Sequence, residues 1–195
     1  MSPVRPSPRS REAGIVLVTS LLLLLVITLL ALSMFRSFGM QEKIAGNLRE
    51  KHRALQAAES AQQYAEWWLQ NSNNINSVLI CTATVINANA GAGQVCTNSL
   101  TAQGVADVTA VPWKVGGNEI GVSYTPPGMT VSAGGATNTY AGAPRFYITL
   151  VGAAASGKGN IYKVDAWGYG GDPNTVAVVE STYLVEPLIV DLGAT

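Results

Sequence analysis

The sequence predicts an α+β fold. One long N-terminal helix, apolar all round in its first half, packs by its second half on an antiparallel β-sheet, with a loop-rich insertion between them. Three observations carry that expectation. Ile15 to Phe35 is free of charge and follows a short basic leader. Beyond it, apolar residues recur at helical spacing as far as Leu69. Nearer the C-terminus, three segments alternate as strands do. At 195 residues the chain has room for one modest domain besides such a helix.

No Asp, Glu, Lys or Arg falls between Glu12 and Arg36. A helical run of that length, at about 1.5 Å per residue, crosses roughly 30 Å of bilayer hydrocarbon. Its leucines and isoleucines together favour insertion by on the order of several kcal/mol. Arg5, Arg9 and Arg11 outweigh Glu12 in the leader, which by the positive-inside rule stays cytoplasmic while the C-terminal part is exported. Three readings of this N-terminus compete. A secretory signal peptide would be cut at a small-residue site, for which Ala31-Leu32-Ser33 is a candidate. A plain signal anchor would not be cut. A type III signal would be cut before the apolar run, after Gly14, leaving that run in the mature chain.

Past Phe35, Ile44, Leu48, Leu55, Ala58, Ala65 and Leu69 mark one face of an amphipathic helix. Alanine-rich content from Ala54 to Ala65 favours the helix, and Gly39 and Gly46 weaken it by roughly 1 kcal/mol each. Asn71-Ser-Asn-Asn ends it through side chains that bond their own backbone. The expectation is one continuous helix from Ile15 to Gln70, on the order of 80 Å long.

Strands are expected at Arg145–Gly152, Ile161–Tyr169 and Thr175–Val185. Phe146, Ile148 and Leu150 share a face in the first, Tyr162, Val164 and Ala166 in the second, and Ala177, Val179 and Tyr183 in the third. Gly170-Gly-Asp-Pro-Asn turns between the last two. These make a three-stranded antiparallel meander, with Ile120–Tyr124 as a candidate extra strand, and one of its faces covers the outer half of the helix. Residues 72–144 are rich in Ala, Thr, Asn and Gly, and stretches 87–93 and 134–139 read as exposed loops. Cys81 and Cys96 lie close together in the exported part, where an oxidising compartment would pair them. Closing that loop stabilises by about 3 kcal/mol in the chain-entropy model.

The inventory of reactive groups argues against an enzyme. His52 is the single histidine and sits in Lys51-His-Arg on the charged side of the helix. No serine has a base partner in view, and no catalytic, cofactor-binding or metal-ligating set can be assembled. Asp172-Pro-Asn lacks the alternating acidic ligands of a calcium loop and reads as a turn. Net charge is zero and the basic residues thin out after Arg53, so no nucleic-acid surface is expected. Trp113 and Trp167 read as core, and one of Trp67 and Trp68 as core with the other partly exposed.

Gly14 before the apolar helix, then Glu42-Lys-Ile-Ala-Gly-Asn-Leu-Arg and Ala54-Leu-Gln-Ala-Ala-Glu-Ser-Ala, closely resembles the N-terminal part of PilX-type minor pilins. The likeness covers roughly residues 11–70, and more weakly Pro144 to Val185 with its Val178-Val-Glu-Ser-Thr-Tyr-Leu-Val ending. It implies a pilin-like fold and a part in type IV pilus assembly, with adhesion and twitching motility as the outcome. It implies cleavage by prepilin peptidase after Gly14 and methylation of the new amine on Ile15. Implied partners are the major pilin and other minor pilins through the N-terminal helix, the inner-membrane assembly platform and a PilY-type tip adhesin. The implied location is a single pass through the inner membrane, C-terminal domain in the periplasm, with later incorporation into the pilus at the cell surface. On this reading residues 1–14 are leader, 15–36 the membrane and assembly half of the helix, and 37–71 its amphipathic half. Residues 72–144 are then the loop-rich region with the disulfide, and 145–195 the sheet. Two departures stand out. The mature chain begins with Ile15 where many pilins have phenylalanine. Its fifth residue is Thr19, where major pilins carry the glutamate that pairs with a neighbour's N-terminal amine. Leaving that amine unpaired at every repeat would cost on the order of several kcal/mol per interface, so the resemblance implies a scarce subunit at or near the tip that primes the fibre. The alternatives are a pseudopilin-like tip subunit of a type II secretion system and a single-pass envelope protein without a fibre role.

Overall fold

A computed structural model of the chain describes residues 13–71, 75, 78–84, 93–133 and 138–186. Most of the expected leader, most of the loop at 87–93 and much of that at 134–139 lie outside the described residues. The fold is α+β and pilin-like: one helix, α1 (Ala13–Gln70), and a mixed, largely antiparallel sheet. The chain divides into two compact units between Asn47 and Leu48.

In the first unit α1 is uncharged as far as Phe35 and exposed from Gly14 to Phe35 at every position but Ala31, with Ile15 at 69%, Leu24 at 65% and Phe35 at 73%. An apolar surface of that extent is at home in lipid or against other helices, not in water. Thr19, Ser20 and Thr28 interrupt it without leaving free hydroxyls. Each donates to the carbonyl three residues back, at 3.0, 2.9 and 2.8 Å, so none carries an unmet donor into an apolar medium.

In the second unit the sheet is built from β1 (Val78–Leu79), β2 (Val95–Cys96), β5 (Val122–Ser123), β6 (Arg145–Ala153), β7 (Asn160–Tyr169) and β8 (Val176–Val185). The order is β1-β2-β6-β7-β8, with β5 also on β6. A separate hairpin pairs β3 (Lys114–Val115) with β4 (Asn118–Glu119). The meander β6-β7-β8 lies within one residue of the three segments expected from alternation, and β5 falls inside the candidate extra strand. The turn at Gly170 closes on Gly170 N–H donating to Thr175 O at 2.8 Å and Thr175 N–H to Asp172 O at 3.0 Å. Two differences need a physical account. Residues 72–144 are not all loop, because β1 and β2 extend the sheet in parallel through Val78↔Val95↔Ile148 and Leu79↔Cys96↔Thr149. Strands of two residues carry no periodicity to read. The helical stripe is also buried only in part. Ala54, Ala57, Ala58, Ala61, Ala65 and Leu69 are covered by the sheet, whereas Ile44 and Leu48 are more than half exposed.

The buried helix face is almost all alanine, which lets sheet and helix backbones approach closely. Gly168 completes that fit, since a Cβ there would sit 2.7 Å from both Ala57 Cβ and Ala58 N. Along the same sheet face, Phe146, Ile148, Tyr162, Val164 and Ala166 are buried. The opposite face is covered too, by the segment between β2 and β5. Leu100, Val105, Trp113 and Ile120 are buried with Tyr147 and Trp167, and the Trp113 and Trp167 rings meet edge to face at 6.2 Å. Trp113 Nε1 donates to Val108 O at 2.8 Å.

Candidate processing and assembly site

Gly14 and Ile15 lie in the first turn of α1. A Cβ at Gly14 would meet nothing within 4 Å, so packing in this chain does not require glycine there. Ile15 is exposed. Five residues into the stretch that starts at Ile15, Thr19 spends its hydroxyl on Val16 O. Val16, Thr19, Ser20, Leu23, Leu24, Ile27 and Thr28 share one face at helical spacing, and that face carries no carboxylate.

Cys81 and Cys96 are joined by a disulfide, with a Cα–Cα separation of 5.2 Å and both residues buried. The bridge works together with a side chain that the sequence did not single out. Asn98 Oδ1 accepts from Cys81 N–H at 2.8 Å, and its Nδ2 donates to Cys81 O at 2.9 Å. The side-chain amide of Asn98 thus carries the β1–β2 pairing two residues past its last pair, Leu79↔Cys96. Tyr147 O–H donates to Asn98 O at 2.7 Å and accepts from Gln103 Nε2 at 2.6 Å. Burial, first, pushes the Tyr147 hydroxyl up to about 12 despite the Gln103 bond.

Two polar clusters hold the unit to its helix and cross-link its sheet. Glu50 Oε2 accepts from Gly171 N–H at 2.6 Å, and Arg53 Nη1 lies 2.9 Å from Glu50 Oε1. Arg53 Nη2 donates to Thr139 O at 2.6 Å, and its guanidinium stacks 4.7 Å from the Tyr140 ring centre. Desolvation works against the Glu50 charge, but the Gly171 amide and Arg53 outweigh it and hold the carboxyl below its ordinary range. On the far face, Asp165 is 1% exposed, with Lys163 Nζ 3.2 Å from Oδ1 and Oδ2 buried without a partner. Burial pushes its carboxyl up to about 6 against the pull of Lys163. Lys163 also reaches Glu180 Oε2 at 3.1 Å, and that bond, opposed by desolvation, holds Glu180 below its ordinary range. His52 is exposed, as its position among charged residues indicated. Gly14 and Ile15 belong to one unit and the cysteines to the other.

Among known families, the model described as PilX N-terminal matches residues 13–62. The model described as type IV pilus assembly protein PilX C-term matches residues 61–185. The chain belongs to the PilX family. It is a minor pilin of type IV pilus assembly, a structural component that works with other pilus components and is anchored in a membrane by its apolar helix. No curated protein and no solved structure matches it. The first family match takes in α1 as far as Gln62, and the second takes in every strand from β1 to β8. Of the functional residues, Asn98 and the Glu50–Arg53 clamp went unread. The three-residue spacing of Glu50 and Arg53 is a visible signal for an ion pair, but its partners at Thr139 and Gly171 are distant in sequence.

Proposed function

We propose that this pilin primes pilus assembly from the inner membrane and remains at or near the fibre tip, with its C-terminal domain in the periplasm until it is incorporated. Prepilin peptidase cuts after Gly14 and Ile15 becomes the methylated N-terminus, which makes residues 1–14 leader and 15–36 the assembly segment. The absence of any packing demand for glycine at position 14 supports this, since the peptidase then supplies the demand. The observation that carries the tip position is Thr19. Its hydroxyl is satisfied within its own helix, and no carboxylate lies between Ala13 and Phe35 to neutralise a neighbour's N-terminal amine. A subunit stacked repeatedly in a fibre would leave a charge unpaired at each level, whereas one used once, with no pilin above it, leaves none. The amine of Ile15 can still be met by a glutamate from a pilin below. Family membership supports the partners of this reading: other minor pilins and the major pilin through residues 15–36, the assembly platform beneath, and a PilY-type adhesin above. Deleting the chain should reduce the number of pili per cell far more than their length, because priming is lost while elongation is untouched. Electron microscopy of the deletion strain reads both quantities. Normal numbers of shortened pili would refute priming, and N-terminal sequencing of the mature chain checks the cut.

A further inference from the structure

β8 ends the sheet, and its outward edge is unoccupied among the described residues. Which of its groups point outward follows from the ladder. Gly170 N–H donates to Thr175 O, so bonded pairs recur at every second position, at Gly168↔Ala177, Ala166↔Val179, Val164↔Ser181 and Tyr162↔Tyr183. The intervening residues Val178, Glu180, Thr182 and Leu184 therefore turn their N–H and C=O groups away from β7. Val176 lies in the same phase, and its outward carbonyl is taken by Lys51 Nζ at 2.5 Å. None of the other four has a hydrogen-bond partner for these groups among the described residues, and Glu180, Thr182 and Leu184 are exposed. The strand is ten residues long and carries no proline and no lysine, and Glu180 is its one charge. Where its first residues meet α1 there is a groove of about 230 Å³ lined by Leu48, Lys51, His52, Leu55, Ala177 and Val178.

We propose that β8 is a docking edge for an extended segment of a different pilus subunit, which adds to the sheet as a further strand. Unmet backbone donors and acceptors at a two-residue period are matched by another extended backbone and not by a helix, whose own groups are already paired. Charge sets what the segment carries. An apolar side chain fills the groove among Leu48, Leu55 and Ala177, and a carboxylate lies within reach of Lys51 and His52. Towards the other end, Glu180 already has its cation in Lys163 at 3.1 Å, so it asks for no charge from the segment. A second copy of β8 fits poorly, because Glu180 is the only charge on Val176–Val185 and antiparallel pairing about the strand centre would bring the two Glu180 side chains near each other. The inference rests on membership of the pilus family and not on tip position, since a neighbour is available at any level of a fibre.

The test uses the full chain in piliated cells. A photo-reactive benzophenone residue at position 182 should cross-link, in sheared fibres, to an extended segment of another pilus subunit. An adduct with a second copy of this chain, an adduct through a helix, or none in assembled fibres overturns the proposal. Thr182→Pro removes one outward N–H and leaves the β7 ladder intact. Thr182→Lys keeps the backbone and blunts the edge. Each should lower incorporation into fibres about tenfold, the scale of one or two backbone hydrogen bonds, and Thr182→Lys should leave the melting temperature of the purified chain unchanged. Normal incorporation of a folded Thr182→Lys chain would also overturn it. Tip abundance is a separate measurement, so failure here leaves the priming proposal standing, and the converse holds.

Discussion

At Gly168 the sheet comes close enough to α1 that one methyl group decides the fit. An alanine Cβ there would stand 2.7 Å from Ala57 Cβ, 2.7 Å from Ala58 N and 3.0 Å from Ala57 C. Two of those three atoms are helix backbone, which cannot swing aside as a long side chain could. Overpacking of this kind costs about 1–3 kcal/mol. Replacing a glycine also restricts the unfolded chain, which returns about 0.4–1 kcal/mol where the native backbone accepts the change. Gly168→Ala should therefore destabilise by about 1–2 kcal/mol, or about 2–8 °C in melting temperature for a chain of this size. Gly168→Val should cost more. Circular dichroism melts of the full chain in detergent micelles read both. A double-mutant cycle locates the cause. Ala57→Gly removes only the Cβ contact, so it should recover about 0.5–1 kcal/mol of the Gly168→Ala loss as coupling while itself costing about 1 kcal/mol of helix propensity. A Gly168→Ala chain that melts at or above the parent temperature would refute the reasoning, because the unfolded-state term would then outweigh a clash that is not there.

Other expectations follow from the polar sites. Asp165 has a folded pKa of about 6, raised from 3.8 by burial. Its contribution to stability is fully present below the unfolded value and is lost as pH rises through about 6. Stability of the wild-type chain should thus decline between pH 4 and 6 at this site, and Asp165→Asn should remove that slope; a slope unchanged in the variant contradicts the assignment. Glu50 and Glu180 run the other way, each lowered from 4.5, so what they contribute is lost only as pH falls through their folded values. Removing the bridge with Cys81→Ser and Cys96→Ser together should cost about 3 kcal/mol by loop entropy. Asn98→Ala should cost about 1–3 kcal/mol more where it leaves Cys81 N–H and C=O unmet. Urea melts measure both, and equal midpoints in all three chains would remove β1–β2 from the account.

Much of this fold is legible in the sequence because its major elements are long and patterned. An uncharged run of over twenty residues and alternation through Phe146, Ile148, Tyr162, Val164 and Ala166 survive any ambiguity of propensity. The rest depends on contacts that no local pattern announces. β1 and β2 are two residues each, and their parallel pairing is held by a disulfide and by the amide of Asn98. The far face of the sheet reads as ordinary alternation until Trp113, Val105 and Leu100 arrive from a segment poor in large apolar residues. The stripe at Ile44 and Leu48 obeys the helical period yet remains exposed, because periodicity says which residues share a face and not how far the covering sheet extends. Gly14 is legible as one of three readings of the N-terminus and Ile15 and Thr19 through the resemblance, and geometry adds only that the fold makes no claim on the glycine and that the threonine hydroxyl is already spent.

The central claim is that this pilin, with Thr19 and no carboxylate between Ala13 and Phe35, is used once, where no subunit stacks above it. Quantitative mass spectrometry of sheared, purified pili, with immunogold labelling of the same fibres, tests it most directly. The account predicts this chain at a few copies per fibre, with label at one end. Abundance comparable to the major subunit, with label spread along the length, would contradict it.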